Sequence, residues 1–451
     1  MRELEPLYTS EEMRTAEERH PGAVEELMER AGCAVAQVGL ELFAPAQSWT
    51  VVCGGGANGG DGRIAARELE RAGKRVRIVD AKAGETELGE PDVIVDALFG
   101  TGFRGKPRSD AAALIERMNA SPARVIAVDL PSGVDASTGE IAGAAVLADS
   151  TVTFHGRKVG LVVAPGRFHA GTVHVADIGL DELETGISLV TAGILDTVPR
   201  RGDRDNKYTA GHVLVVGGSP GLTGAPSLTA MAALRADAGY VTLAAPEETL
   251  PVFEQRLLEV VKRPLPDDLS DLAEKASALA VGPGLGRSDA ARALVRRSLA
   301  EIDRPAVVDA DALYGLEPAD WPAPRVLTPH DGELARLLGR ESREIAAHRI
   351  ASVREAAERF NCVVLLKGAD TLVAAPGRGL LVSALGLPSL ATAGTGDVLS
   401  GVIAAFLAKG MDAQLAAAAG AAAQQRAAVE APQRAGLVAS DLIEALPRVL
   451  R

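Results

Sequence analysis

One pattern restricts this chain more than any other. Short β-branched runs end in glycines with one or two polar side chains, and an amphipathic segment follows. Trp49–Cys53 runs into GGGANGGDG (Gly54–Gly62), which opens a helical pattern over Asp61–Ala72. Val76–Val79, Val93–Val95, Val125–Val128, Thr151–Phe154 and Val173–Val175 are further strand candidates, and Pro21–Phe43 has the apolar spacing of an amphipathic helix. Strands separated by helices predict a mostly parallel sheet covered on both faces. In such a sheet the strand C-termini open on one crevice, so loops far apart in sequence converge there. The position of the 48 glycines therefore matters more than their number.

The second half repeats the style. His212–Val216, Tyr240–Ala244, Ala278–Val281, Ala306–Val308, Val326–Leu327 and Val363–Leu366 read as buried strands, Leu372–Ala375 with Leu380–Val382 as a hairpin, and Pro226–Ala238, Val398–Lys409 and Leu415–Ala428 as helices. A length of 451 residues predicts two or three domains. The polar stretch Pro199–Lys207 (PRRGDRDNK) has the composition of a join, which gives two α/β domains, 1–200 and 201–451.

Composition excludes several classes. The formal net charge of -13 and the 14 aromatic residues argue against nucleic acid as a partner, because phosphate tracking needs clustered cations and single strands need stacking platforms. Cys33, Cys53 and Cys362 are too few and too scattered for a disulfide framework or a zinc site. The uncharged runs Tyr208–Leu234 and Gly379–Gly396 are interrupted by Gly and Pro, so no membrane span is expected. The first residues are acidic and lack an apolar stretch. A cytoplasmic protein is expected.

Gly54, Gly56 and Gly59 satisfy GxGxxG, and Asp80 ends the next strand, so a dinucleotide fingerprint is one reading and a plain strand-to-helix turn another. Asn58 and Asp61 inside the loop suit a pyrophosphate poorly. Other polar loops then follow neighbouring strands: Asp96 with GTGFRGK (Gly100–Lys106), and VDLPSGVDASTG (Val128–Gly139). Asn58, Asp96 and Ser132 offer oxygens to a hard cation. Gly100–Lys106 offers amides and cations to phosphate. Asp129 closes an apolar strand, where burial raises a carboxyl towards general-base use. Each carboxylate has a plainer reading as a turn brace or cap. Lys158 and His155 follow the Thr151–Phe154 strand and are expected to face solvent.

ELMERAG (Glu26–Gly32), VVCGGGANGGDG, DALFGTGFRG and VDLPSGVDASTG, in that order, resemble the epimerase domain of NAD(P)H-hydrate repair enzymes. The resemblance implies a Rossmann-like domain that interconverts the R and S epimers of hydrated NAD(P)H. It implies potassium held by Asn58, Asp96 and Ser132. It implies contact of the hydrate with Ala57, Asn58, Gly59, Gly60 and Asp61, with Gly100, Thr101, Gly102, Phe103, Arg104, Gly105 and Lys106, and with Asp129, the acid/base at C6 of the nicotinamide. The family usually has Asn where Ala57 stands.

The second half carries LVVGGSPGLTGAP (Leu214–Pro226), VGPGLG (Val281–Gly286), VDADAL (Val308–Leu313), TPHDGE (Thr328–Glu333), LLKGADT (Leu365–Thr371) and ATAGTGD (Ala391–Asp397). No GxxxxGK[ST] loop exists, so this is not a P-loop enzyme. Gly394, Thr395 and Gly396 place open amides before an apolar helix, where they can stabilise a phosphoryl group in transfer. Asp397 can take a proton from a substrate hydroxyl or merely cap the helix. Lys367 is one of only nine lysines in the chain.

GTGD with an upstream Lys-Gly-Ala resembles the ribokinase-like superfamily, and the full set is similar to NAD(P)H-hydrate dehydratase. That resemblance implies a ribokinase-like α/β/α sheet and an ADP-dependent reaction that phosphorylates the C6 hydroxyl of the S hydrate and eliminates phosphate, leaving AMP. It implies nucleotide contacts from Lys367, Gly368, Ala369, Asp370, Thr371, Gly394, Thr395 and Gly396. It implies hydrate contacts from Ala225, Gly284, Gly286, His330 and Asp397, with Asp397 as base, and it implies magnesium. Where Asp331 stands, the family usually has Pro.

Together these motifs predict a bifunctional repair enzyme acting on NADHX and NADPHX with ADP, and a homo-oligomer is expected. Two alternatives stand beside it: a ribokinase-like kinase of another small molecule fused to a nucleotide-binding module, and an inactive binding module as the first half.

Overall fold

A computed structural model of the chain describes residues 3–384, 386–433 and 435–450. Two compact units divide it, Pro6–Ile187 in one and Ser188–Arg451 with the first residues up to Glu5 in the other. The division falls at Ile187, ahead of the polar stretch. Pro199–Lys207 lies within the second unit, where Arg201 pairs with Asp237 at 2.8 Å and Lys409 donates to the Pro199 carbonyl at 3.1 Å.

The chain opens with β1 (Leu4–Leu7), which lies at an edge of the larger sheet. The first unit then holds β2 (Ser48–Cys53), β3 (Arg75–Asp80), β4 (Val93–Ala97), β5 (Arg124–Val128), β6 (Ser150–Phe154) and β7 (Thr172–Ala176). Their order is β3-β2-β4-β5-β6-β7, with every neighbouring pair parallel. β4 is buried along its whole length, as the unbroken Val-Ile-Val run requires of a strand covered on both faces. The order reverses between β2 and β4, which opens the crevice at the loops that follow them.

The larger sheet adds β8 (Ile187–Val190), β9 (His212–Val216), β10 (Tyr240–Ala245), β11 (Val261–Pro264), β12 (Ala278–Val281), β13 (Ala306–Val308), β14 (Arg325–Leu327), β15 (Val363–Leu366), β16 (Thr371–Ala374) and β17 (Leu380–Ser383). Its order is β1-β8-β17-β16-β15-β14-β13-β12-β9-β10-β11. β15, β16 and β17 pair antiparallel, as the hairpin pattern predicts, and the strands from β9 to β15 run parallel. Here the order reverses between β9 and β12. The apolar helices Thr395–Ala408 and Ala413–Glu430 form much of this unit's core, and alanines let them approach closely. The short apolar segment Ile187–Val190 joins this sheet as β8.

Candidate active sites

In the first unit the loop after β2 is shorter than its glycine content suggests. The helix Ala57–Arg71 starts at Ala57, so Asn58 and Asp61 lie in its first turns. Gly59 makes this possible, since a Cβ there would stand 2.0 Å from the Gly54 carbonyl. Ala57, Gly55 and Gly56 are exposed at the rim, and Asn58 is buried with its Nδ2 lacking a partner. Asp96 ends β4 fully buried. It accepts from the Ser132 amide (2.8 Å), the Ser132 hydroxyl (2.7 Å) and the Leu98 amide (3.2 Å), yet burial still pushes its carboxyl up to about 6. Among the described residues no basic side chain pairs with it. Asn58 comes from its helix against the loop after β4, where its Oδ1 lies 3.1 Å from the point a Gly100 Cβ would occupy.

Asp129 follows β5 with φ 67, a left-handed conformation that few non-glycine residues hold without reason. Its carboxylate accepts from Thr153 Oγ1 at 3.0 Å and pairs with Lys158 Nζ at 2.6 Å. Lys158 is fully buried and also donates to the Phe154 carbonyl at 2.8 Å, so its expected place in solvent is wrong. A buried ammonium stays in place only when paired, and the short stretch from β6 carries it back under Asp129. His155 is corrected in the same way. It is half-buried against Tyr8, with ring centroids 4.8 Å apart, and burial lowers its pKa. Asp61 is buried and its Oδ1 has no partner; burial, then Asp129 and Glu17, push it up to about 8. Gly100–Lys106 forms the opposite rim, with Arg104 and Lys106 exposed and Phe103 stacked on Phe99 at 4.6 Å. Asn58, Asp96, Ser132, Asp129 and Asp61 thus come from three strand ends of one sheet.

In the second unit the loops after β9 and β12 close on each other. The Gly218 and Ser219 amides donate to the Gly284 carbonyl at 2.9 and 2.8 Å, and Ser219 Oγ donates to the Leu285 carbonyl at 2.6 Å. Gly284 turns with φ +59, and a Cβ there would lie 2.3 Å from the Leu222 carbonyl. Gly286 donates its amide to Asp311 at 3.0 Å. Ala225 starts the helix Gly224–Arg235, which packs on Thr395–Ala408 through Thr229 Oγ1 and the Asp397 carbonyl at 3.1 Å.

The helix Thr395–Ala408 begins after Gly394, which takes φ +88. Gly396 brings that N-terminus against Lys367, since a Cβ there would be 3.4 Å from Nζ. Lys367 directly follows β15 and donates to Asp309 Oδ1 at 3.0 Å, with Glu333 Oε2 at 3.8 Å. Burial alone would lower its pKa, but Asp309 and Glu333 hold it above the usual lysine range. Asp309 is buried; burial would raise it, but Lys367, Ser400 and Thr328 hold it below the usual carboxylate range, with Ser400 Oγ donating at 2.7 Å. Asp397 makes no such pair. Burial, then the charge of Asp309, push it up to about 7. His330 caps the helix Asp331–Leu338, accepting from the Gly332 amide at Nδ1 (3.0 Å), and its side chain is 58% exposed. Asp309, Ser400 and Arg349 are absent from the sequence reading as site residues; only the quoted VDADAL segment signalled the first.

A family model described as NAD(P)H-hydrate dehydratase matches residues 213–448, and one described as YjeF-related protein N-terminus matches residues 24–87 and 79–160. The chain is 39% identical over 461 residues to the bifunctional NAD(P)H-hydrate repair enzyme Nnr of Moorella thermoacetica, covering 89% of this chain and 87% of that one. The chain belongs to the bifunctional NAD(P)H-hydrate repair enzymes. The Escherichia coli member of this repair-enzyme family is 36% identical over 463 residues, covering 94% of this chain and 89% of that one. Among solved structures, an ADP/ATP-dependent NAD(P)H-hydrate dehydratase from Bacillus subtilis, co-crystallised with ATP/Mg2+, aligns with 57% of this chain and 96% of its own, at 28% identity and a TM-score of 0.53. Both halves of the repair-enzyme family are therefore present in one chain.

Proposed function

We propose that this chain restores hydrated NAD(P)H in two steps, one in each unit. The first unit interconverts the R and S epimers of NADHX and NADPHX; the second dehydrates the S epimer at the expense of ADP, giving NAD(P)H, AMP and phosphate. The observation that carries the reading is that two crevices, each at a sheet's switch point, hold a carboxyl fit for proton transfer beside amides and cations fit for phosphate.

In the first unit Asp129 takes the proton of the C6 hydroxyl. The C6–N1 bond opens as its electron pair goes to N1, and Asp61, which carries a proton at neutral pH, supplies one there. Reclosure on the other face of the carbonyl reverses these transfers and inverts C6. Ala57–Asp61 and Gly100–Lys106 hold the hydrate, with Arg104 and Lys106 towards its phosphates. Lys158 and Thr153 fix the Asp129 carboxylate. Asn58, Asp96 and Ser132 fit a potassium ion, because Asp96 is a buried carboxylate with no cationic partner among the described residues and the other two add oxygens. A bound ion supplies the missing positive charge and orders the loop.

In the second unit Asp397 accepts the C6 hydroxyl proton as the oxygen attacks the β-phosphorus of ADP and AMP leaves. Phosphate then leaves with the C6–O pair and takes up the C5 proton, as the C5–H pair becomes the C5=C6 bond and restores the ring. Lys367, Gly368, Ala369, Asp370 and Thr371 hold the nucleotide with the amides of Gly394, Thr395 and Gly396; Ala225, Gly284, Gly286 and His330 hold the hydrate. Glu333, beside Lys367, would offer an oxygen to magnesium, which would neutralise polyphosphate charge. The active form is a homo-oligomer in the cytoplasm. Among the described residues no helix is long and apolar enough to cross a membrane.

The test is direct. Mixed R and S NADPHX, ADP and magnesium are incubated with the protein, and restored NADPH is read by absorbance. Complete recovery is expected. A plateau once S is consumed removes the epimerase reading, and no recovery with ADP or ATP removes the dehydratase reading.

A further inference from the structure

The loop that carries His330 and the loop that runs from Lys367 to Thr371 share one buried side chain, Arg349. It begins the helix Arg349–Phe360 and its side chain is only 5% exposed. Nη1 donates to Asp331 Oδ1 at 2.6 Å, immediately after His330. Nη2 donates to the Asp370 carbonyl at 2.9 Å and lies 3.5 Å from the Lys367 carbonyl. Nε stands 3.4 Å from Asp370 Oδ2, and Asp370 is fully buried with no hydrogen bond to either carboxylate oxygen. The loop is moulded on the guanidinium, since a Cβ on Gly368 would sit 2.5 Å from Nη2. A main-chain bond joins the two loops directly, from the Lys367 amide to the Pro329 carbonyl at 2.9 Å.

The guanidinium is buried and each of its nitrogens is turned to protein oxygens, so Arg349 itself does no chemistry. Its geometry does something else. A planar fork that grips a side chain on one loop and carbonyls on the other lets neither loop adjust alone. A ligand that orders one loop has then already ordered the other, and the second ligand meets a smaller entropic cost.

We propose that Arg349 is a positioning residue that, through Asp331, ties the nucleotide loop to the hydrate loop and makes ADP and the hydrated cofactor bind cooperatively. The proposal rests on the dehydratase reading of this crevice. It accounts for a cation buried behind the site and for the placement of Asp331, which would otherwise be an ordinary first-turn acid.

The experiment measures ADP affinity of the full-length protein by calorimetry with magnesium, with and without saturating NADPH, the product that lacks the reacting hydroxyl. The unsubstituted protein is expected to bind ADP about fivefold or more tightly when NADPH is present. Asp331→Asn keeps the shape and removes the charge. It is expected to bring that ratio close to one, to leave ADP affinity alone within about twofold, and to raise the KM for S hydrate with kcat nearly unchanged. Asp331→Glu is expected to restore the ratio in part, an outcome that a merely structural role does not produce. Arg349→Lys keeps the charge without the fork and is expected to behave like Asp331→Asn; if it does not fold, the Asp331 pair decides. An unchanged ratio in folded Asp331→Asn, or no coupling in the unsubstituted protein while it turns over S hydrate, overturns the proposal and leaves the dehydratase reading standing. Absence of turnover with ADP in the unsubstituted protein removes that reading, and the proposal with it.

Discussion

Each proposed site sets one lysine among carboxylates, and the two lysines pair differently. In the first unit Lys158 pairs at 2.6 Å with Asp129, the residue proposed to receive the proton, and Asp61 is left without a cation and rises to about 8. In the second, Lys367 pairs at 3.0 Å with Asp309, and the proposed base Asp397 is the one left unpaired, at about 7. Burial raises both unpaired carboxyls, and the nearby ammonium, paired with another carboxylate, offsets this only in part. The first site therefore pairs one carboxyl with an ammonium and leaves its neighbour Asp61 holding a proton, as the proposed exchange at the C6 oxygen and N1 needs. The second leaves Asp397 unpaired, the carboxyl proposed to take a proton once, while Lys367 is proposed to lie beside the phosphoryl group.

This contrast breaks most sharply by substitution. Asp397→Asn should lower ADP-dependent dehydration by about 10²–10⁴-fold, the usual worth of a general base. ADP binding and R/S interconversion should persist, which chromatography of the two epimers checks. Asp129→Asn should cost a similar factor in interconversion alone, seen as recovery that stalls once S is consumed. Loss of dehydration of S in that variant would mean the two sites are not separate. Lys158→Met should reduce interconversion by about tenfold or more, whereas the same change placed at Asp309's partner, Lys367→Met, should impair nucleotide use first.

The pH profiles should part in opposite directions. Asp397 must lose its proton to act, so the dehydration rate should fall about tenfold per unit as pH drops below about 7. Asp61 must keep its proton, so interconversion should decline above about 8. Coincident profiles, measured with separate R and S substrates, would remove the assignment.

The smallest effect is on stability. The folded chain keeps the Asp61 proton up to about 8, whereas an unfolded carboxyl releases it near 3.8. Between those values the folded state binds more protons, so stability falls as pH rises through that window and is unaffected below it. Asp61→Asn removes this loss. Melting followed by Trp49 fluorescence in a Trp321→Phe background should rise by roughly 4 °C at pH 8, and the gain should vanish towards pH 4. An equal gain at both values would mean that packing, not the proton, is responsible.

Much of the architecture was legible in the chain. Val93–Val95 and Val363–Leu366 could only be strands covered on both faces, because an unbroken apolar run has no face to offer water. The hairpin over Leu372–Val382 and the helix after Gly394 followed from the same local rules. Less legible were helix starts: Ala57–Gly62 looked like loop because glycine is a poor helix former, yet close contact with Gly54 and β4 selects glycine there. Ile187–Val190 is apolar enough for a strand, but four residues carry no information about which sheet they enter.

The sequence by itself determined two parallel-sheet units, the loops that meet at their crevices and, through motifs, the family. Tertiary structure alone decided which charges pair. Lys367 and Asp309 are 58 positions apart, Ser400 and Asp309 are 91, and Arg349 reaches Asp331 and Asp370 from a helix between them. Local spacing fixes which residue ends a strand, because a strand's period is a property of its own backbone. It does not fix which ammonium is folded beneath which carboxylate, because that depends on how distant elements stack, and the proton distribution follows from that stacking.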